Sequence, residues 1–168
     1  MGIVSFFKEA GEKLFGRKEA AAATAPAAAG ATPAASSEQA NETAGQAIEA
    51  YIASQGLAAD GLDVKFDGAT GTVTVSGLAA DQATKEKIIL CCGNVNGVGK
   101  VNDLITVSQP AVESKYYTVA KGDTLSAIAK AQYGNANDYM KIFEANKPML
   151  SHPDKIYPGQ VLRIPADA

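Results

Sequence analysis

Apolar and polar positions follow two rhythms along this chain, and the changes between them mark out its elements. Ala44, Ala47, Ile48, Tyr51 and Ile52 recur at helical spacing, and Gly56 closes that pattern. Val64-Lys65-Phe66 and Val73-Thr74-Val75 instead alternate, as half-buried strands do. Asp67-Gly68-Ala69-Thr70-Gly71 lies between them, so the two runs predict strands joined by a Gly-rich turn. A second helix is expected over Ala80–Cys92, begun around Ala79–Asp81 and ended by Gly93. Val101, Ile105 and Val107 mark a last strand. The predicted order is αββαβ.

A further compact stretch opens with a strand at Tyr117-Thr118-Val119. Asp123 or Thr124 supplies a helix cap, since a short side-chain oxygen can accept an orphan N–H of the first turn. Leu125, Ile128 and Ala129 form the apolar face behind the cap, and Gly134 ends the helix. Another helix is expected from about Asn137 to Asn146, burying Tyr139, Ile142 and Phe143. Pro148 and Pro153 keep the next loop non-helical, and Val161-Leu162-Arg163-Ile164 makes the closing strand. This order is βααβ. The fold class expected for the whole chain is α+β, as two small modules.

Between the Phe-rich start and the first module the periodicity vanishes. Of the 32 alanines, 12 fall in Ala20–Ala40, together with Pro26, Pro33 and Gly30. Prolines interrupt a helix, and nothing in this stretch can form a core, so residues 20–40 are expected to be a flexible linker. The division expected is therefore 1–19 as an N-terminal helical segment, 20–40 as linker and 41–109 as the first module. Residues 110–115 form a short second linker, and 116–168 the second module. The 46% hydrophobic fraction thus overstates the core-forming residues, because part of it is linker alanine.

Charge and the N-terminus exclude several classes. No run of about 18 apolar residues exists, so neither a transmembrane helix nor stable membrane insertion is expected. A net charge of −3 with no long basic run argues against nucleic acid as partner. Residues 41–109 hold four bases and eight acids, a net of −4 on the first module. Met1-Gly2-Ile3-Val4-Ser5-Phe6-Phe7 is too short and lacks the preceding cationic stretch for a signal peptide. Phe6 stands where N-myristoylation wants Ser or Thr. Cys91 and Cys92 are adjacent and read as small buried hydrophobes, since neighbouring side chains diverge and bridge poorly. These features point to a cytoplasmic monomer.

Chemistry of the enzymatic kind is hard to assemble. His152 is the one histidine and lies beside Pro153 in a loop, which leaves no credible Ser/His/Asp or Cys/His set. No CxxC or HExxH spacing occurs, and Asp60, Asp63, Asp67 and Asp81 are scattered over turns and a helix cap. The expectation is a non-enzyme. Phe6, Phe7, Leu14 and Phe15 fit a short amphipathic helix over Phe6–Phe15, packing on the first module or touching a membrane surface. Gly93 and Gly97 read on their own as turn residues. Helix C-termini leave carbonyls unpaired and partially negative, so the Gly93 region and Gly11 are the two places where oxygens are free to meet a cation. No acidic loop of the calcium-binding type is present.

The run Gly122-Asp123-Thr124-Leu125-Ser126-Ala127-Ile128-Ala129, with Tyr133-Gly134-Asn135, Ala145-Asn146 and Ile156-Tyr157-Pro158-Gly159-Gln160, resembles a LysM domain over 116–165. Gly71–Gly77 with Val73 and Val75, then Gly93-Asn94-Val95-Asn96-Gly97-Val98, resembles a BON domain over about 41–109. BON followed by LysM, with Lys85-Glu86-Lys87-Ile88 and a start of this kind, is similar to the small cytoplasmic bacterial potassium-binding proteins. The Ala/Pro stretch is longer here than in that family. The resemblance implies K+ as the bound ion, with Rb+ or Cs+ as further candidates. It implies main-chain carbonyl ligands at Phe7, Ala10, Glu12, Gly93, Val95 and Val98, where Phe7 departs in size from the family's aliphatic residue. It also implies an ion sensor that compacts on binding and is linked to ionic or osmotic stress. The rival implication is peptidoglycan or N-acetylglucosamine binding by LysM, through Gly122, Asp123, Thr124, Asn146, Ile156 and Pro158.

Overall fold

The computed structural model describes residues 2–5 and 33–166. In chain order these form β1 (Gly2–Ser5), α1 (Pro33–Ser54), β2 (Ala59–Asp67), β3 (Thr72–Asp81), α2 (Gln82–Gly93) and β4 (Lys100–Gln109). They continue as β5 (Lys115–Thr118), α3 (Leu125–Tyr133), α4 (Tyr139–Ala145) and β6 (Val161–Ile164). A 3-10 turn, Ala136–Asp138, leads into α4. The α+β class and both element orders match the expectation.

Two local readings differ. Gly2–Ser5 is a strand rather than part of a helical segment, in keeping with β-branched Ile3 and Val4 at its centre. The helix expected over Phe6–Phe15 lies outside the described residues, as do 20–32 of the expected linker. The rest of that linker, Pro33–Ala40, belongs to α1. Proline is at home in the first turn, where its missing N–H would have no helical partner anyway. The alanines, Glu38 and Gln39 that follow favour a helix.

The first sheet runs β1-β4-β3-β2. β2 and β3 form the expected antiparallel hairpin, with Val64 opposite Val75 and Phe66 opposite Val73. β3 and β4 are parallel, and α2 is the crossover between them. β1 adds antiparallel to the other side of β4, Gly2 opposite Asp103 and Ser5 opposite Lys100. Side chains alternate across the sheet. Val73, Val75, Val101 and Ile105 are buried against Ile48 and Ile52 of α1 and Ile88 and Ile89 of α2, while Leu78 and Leu104 are partly exposed. α1 lies close to edge strand β2. Glu49 Oε1 accepts the Val64 N–H at 2.9 Å, and a Cβ at Gly45 would stand 2.5 Å from the Val64 carbonyl. Only glycine permits that approach.

In the second module β5 and β6 pair antiparallel, Tyr117 opposite Leu162. Two strands alone are marginal. They gain a core of Val119, Leu125, Ile128, Ile142, Phe143 and Leu150 beneath Leu162 and Ile164. Of the two candidate caps, Thr124 is the one that closes α3, accepting the Ala127 N–H at 3.2 Å, and Gly134 ends it in the left-handed region at φ 79°. β6 serves both modules. Leu162 and Ile164 face the second core, whereas Val161 belongs to the first and Arg163 reaches Glu86 on α2. This double covering explains why the second half of α2 is buried nearly all round.

Candidate functional site

The end of α2 and the loop to β4 carry three of the expected ligand positions. α2 starts cleanly, with Asp81 Oδ1 accepting the Thr84 N–H at 2.7 Å. It ends at Gly93, and Asn94 is its C-cap. The Val95 N–H reaches the Cys92 carbonyl at 3.3 Å, and the Val98 N–H reaches the Val95 carbonyl at 3.2 Å. Val95 retains one acceptor lone pair after that bond. Among the described residues, the Gly93 and Val98 carbonyls accept no backbone hydrogen bond outside regular helix and strand pairing. Gly93, Val95 and Val98 are all buried, Val95 and Val98 at 7% and 1% exposure with the main chain included. Gly97 sits at φ +88° and permits the tight return.

The loop is fastened on two sides. Gly99 and Lys100 donate their N–H groups to the Gly71 carbonyl at 2.7 and 3.2 Å, tying the loop to the β2–β3 turn. On the other side Asn94 Nδ2 donates to the Val161 carbonyl at 3.1 Å, and the Val161 N–H donates to Asn94 Oδ1 at 3.0 Å. β1 delivers the N-terminus to the same place, since Ser5 stands opposite Lys100. Phe7, Ala10 and Glu12 lie outside the described residues.

The LysM-type residues divide into two groups. Val119 and the Gly159–Gln160 turn exchange two hydrogen bonds of 2.8 Å, which sets the Gly122–Thr124 loop beside the Ile156–Pro158 loop. Gly122, Thr124 and Pro158 are exposed and Ile156 is half-buried. Asp123 is internally engaged, accepting from the Tyr117 hydroxyl at 2.9 Å and the Ala120 N–H at 2.8 Å. Asn146 is 2% exposed, and its amide is committed to the Ile142 and Arg163 carbonyls and to the Arg163 N–H. It works as a brace for β6.

Among the described residues no group of three His, Cys, Asp or Glu side chains is placed to hold a metal. His152 is exposed, with Nδ1 accepting the Asp154 N–H at 3.2 Å. Among the described residues no helix is long and apolar enough to cross a membrane. Main-chain oxygens are the chemistry that the loop offers a cation.

A family model for the BON domain matches residues 38–109, and one for the LysM domain matches residues 117–165. The potassium binding protein Kbp of Escherichia coli O6:H1 is 42% identical over 168 residues, covering 99% of this chain and 100% of that protein. This chain belongs to the BON–LysM family of potassium-binding proteins. Shorter likenesses reach an uncharacterized protein of Deinococcus radiodurans, 53% identical over 49 residues, covering 29% of this chain and 19% of that one. The uncharacterized protein YqbP of Bacillus subtilis is 40% identical over 60 residues, covering 30% and 27% of the two chains.

Within this BON–LysM chain, the residues that join the modules are not those that the spacing of apolar positions singles out. Glu86, Asn94 and Arg163 form the junction. Arg163 gives the one signal, a charge inside a four-residue strand that is otherwise aliphatic, whereas Glu86 lies between Lys85 and Lys87 in the polar half of α2 and Asn94 at a helix end, where polarity is ordinary.

Proposed function

We propose that this chain binds potassium through main-chain carbonyls of Gly93, Val95 and Val98, completed by Phe7, Ala10 and Glu12. The observation that carries this reading is the pairing of β1 with the start of β4. It brings the chain just before Phe7 to within one strand of the loop that contains Gly93, Val95 and Val98. The loop's carbonyls at the end of α2 add partial negative charge, and the first module carries the chain's acidic excess. Carbonyl oxygens suit K+, which sheds its water readily onto such a cage. Rb+ and Cs+ are the further ions to try.

Binding that recruits the N-terminal segment compacts the chain, so the protein acts as a cytoplasmic sensor of ionic or osmotic conditions rather than as a catalyst. Two free buried cysteines suit a reducing compartment. The test is calorimetry with KCl and NaCl on the full chain and on a version lacking residues 1–15, alongside scattering in each salt. The expected result is a potassium-specific heat and a smaller radius of gyration in KCl, both lost on truncation. Potassium binding that survives truncation refutes the N-terminal ligands.

A second reading, glycan binding, draws on the exposed Gly122, Thr124 and Pro158 beside half-buried Ile156. A peptidoglycan pull-down tests it. Retention by peptidoglycan that is lost in Thr124→Ala or Pro158→Ala supports a LysM groove independent of the ion.

A further inference from the structure

We propose that Asn94 is a positioning residue through which the LysM module sets the geometry, and so the ion preference, of the potassium loop. The inference rests on the potassium reading above. Asn94 lies between Gly93 and Val95, two of the ligands in that reading, yet its side chain turns away to the other module. A primary amide carries the same donor and acceptor as a peptide group. By exchanging two hydrogen bonds with Val161, Asn94 occupies the edge of β6 as one residue of an added strand would.

A second asparagine repeats this two residues further along. Asn146 Nδ2 donates to the Arg163 carbonyl at 2.8 Å, and the Arg163 N–H donates to Asn146 Oδ1 at 2.8 Å. Both asparagines are helix C-caps, Asn94 of α2 and Asn146 of α4. Asn146 braces the LysM module internally. Asn94 makes the same clasp from outside, and with it fastens the loop.

The consequence follows from covalent geometry. The Gly93 carbonyl belongs to the peptide plane that ends at Asn94, so holding Asn94 holds that plane. The other end of the loop is held within the BON module by Gly71. A carbonyl cage discriminates among alkali ions by how many oxygens it presents and how they are spaced. Release of the Asn94 end lets the oxygens relax around a smaller ion. Coupling is reciprocal, so potassium at the loop strengthens the grip on Val161 by the factor with which that grip strengthens potassium binding.

The experiment uses the full chain, with Asn94→Ala and Asn94→Asp. Affinities for K+ and Na+ come from calorimetry, and amide exchange at Val161 is followed in each salt. In the wild type, potassium should slow exchange at Val161. Asn94→Ala should weaken potassium binding about tenfold, lower the potassium-to-sodium ratio and remove the potassium dependence at Val161. Core amides such as Val73 and Ile128 report whether both modules remain folded. If Asn94→Ala does not fold, Asn94→Asp keeps the volume and the acceptor, loses the donor and adds a negative charge. That charge attracts both ions and the smaller one more, so the reporter in this variant is the potassium dependence of exchange at Val161, which should weaken with the lost donor. Wild-type potassium binding with an unchanged ratio in folded Asn94→Ala, or an unchanged potassium dependence at Val161 in Asn94→Asp, overturns this inference and leaves the potassium reading standing. Absence of potassium binding by the wild type overturns both.

Discussion

Arg163 on β6 and Glu86 on α2 form a buried ion pair across the junction of the two modules, with side chains only 12% and 2% exposed. Arg163 Nε donates to Glu86 Oε2, while Oε1 accepts from Gln82 Nε2 at 3.0 Å and from the Ser114 N–H at 2.8 Å. One carboxylate thus gathers its own helix, the inter-module linker and the last strand. A buried charge is tolerated because it is paired and its remaining lone pairs are used. Glu86→Ala strands the Arg163 guanidinium and the Ser114 N–H, so urea unfolding of the full chain should show a loss of about 3–5 kcal/mol. Replacing both partners by methionine removes the stranded charge and should recover most of that loss. A double variant as unstable as Glu86→Ala contradicts this account.

The same carboxylate gives the junction an acid limit. Burial pushes the Glu86 carboxyl up, but hydrogen bonds from Arg163, Gln82 and Ser114 outweigh burial and hold it below its usual value. A group whose native pKa is depressed stabilises the fold above its unfolded pKa and loses that contribution as pH falls through the native value. The urea midpoint should therefore be flat near neutrality and fall from the ordinary carboxylate range downward. Asp81 is lowered by its capping bonds to Thr84 and Asp67 by its bond to Thr70, and both act in the same direction. Glu86→Gln should flatten the acid limb in part, not abolish it. An unchanged limb removes Glu86 from the cause.

How much of this is legible in the sequence depends on which force sets each feature. The elements are readable because local spacing sets them: Ile48 and Ile52 recur along a helix, and Val73 and Val75 alternate along a strand. The loop at Gly93–Val98 is readable as a place, but its expected ligand role comes from the family resemblance and not from spacing. The clasp of Asn94 on Val161 is invisible there, since it joins residues 67 positions apart and Asn96 in the same loop offers an identical side chain. β1 is also missed. Its strand character arises from pairing with β4 across about a hundred residues, which a short apolar start does not announce. Asn146 stands among the glycan candidates by motif alone, and only its contacts show an internal brace.

Cys91 and Cys92 give a test of how firmly α2 is held. Both are 0% exposed. Burial pushes the Cys91 thiol up to about 12 and raises Cys92 as well. The thiolate is the reactive species, so neither should react with a maleimide at about pH 8 while α2 is packed. Labelling should track global unfolding through a urea series. Fast labelling in buffer shows instead that α2 opens on its own.

Gly71 offers the most direct probe of the loop from the BON side. It lies at φ +62°, its carbonyl holds Gly99 and Lys100, and a Cβ there would stand 2.9 Å from the Gly97 carbonyl. Gly71→Ala should cost about 1–2 kcal/mol from the left-handed backbone alone. It should also push Gly97 and displace the neighbouring Val98 carbonyl, weakening potassium binding. Gly56 supplies the control, because it has φ +69° and a Cβ added to it would meet nothing within 4 Å. Gly56→Ala should thus lose similar stability in urea while calorimetry shows potassium binding unchanged. Since the two variants share the backbone penalty, any difference in potassium affinity between them belongs to the contact with the loop. Equal affinities would separate the β2–β3 turn from the ion site altogether.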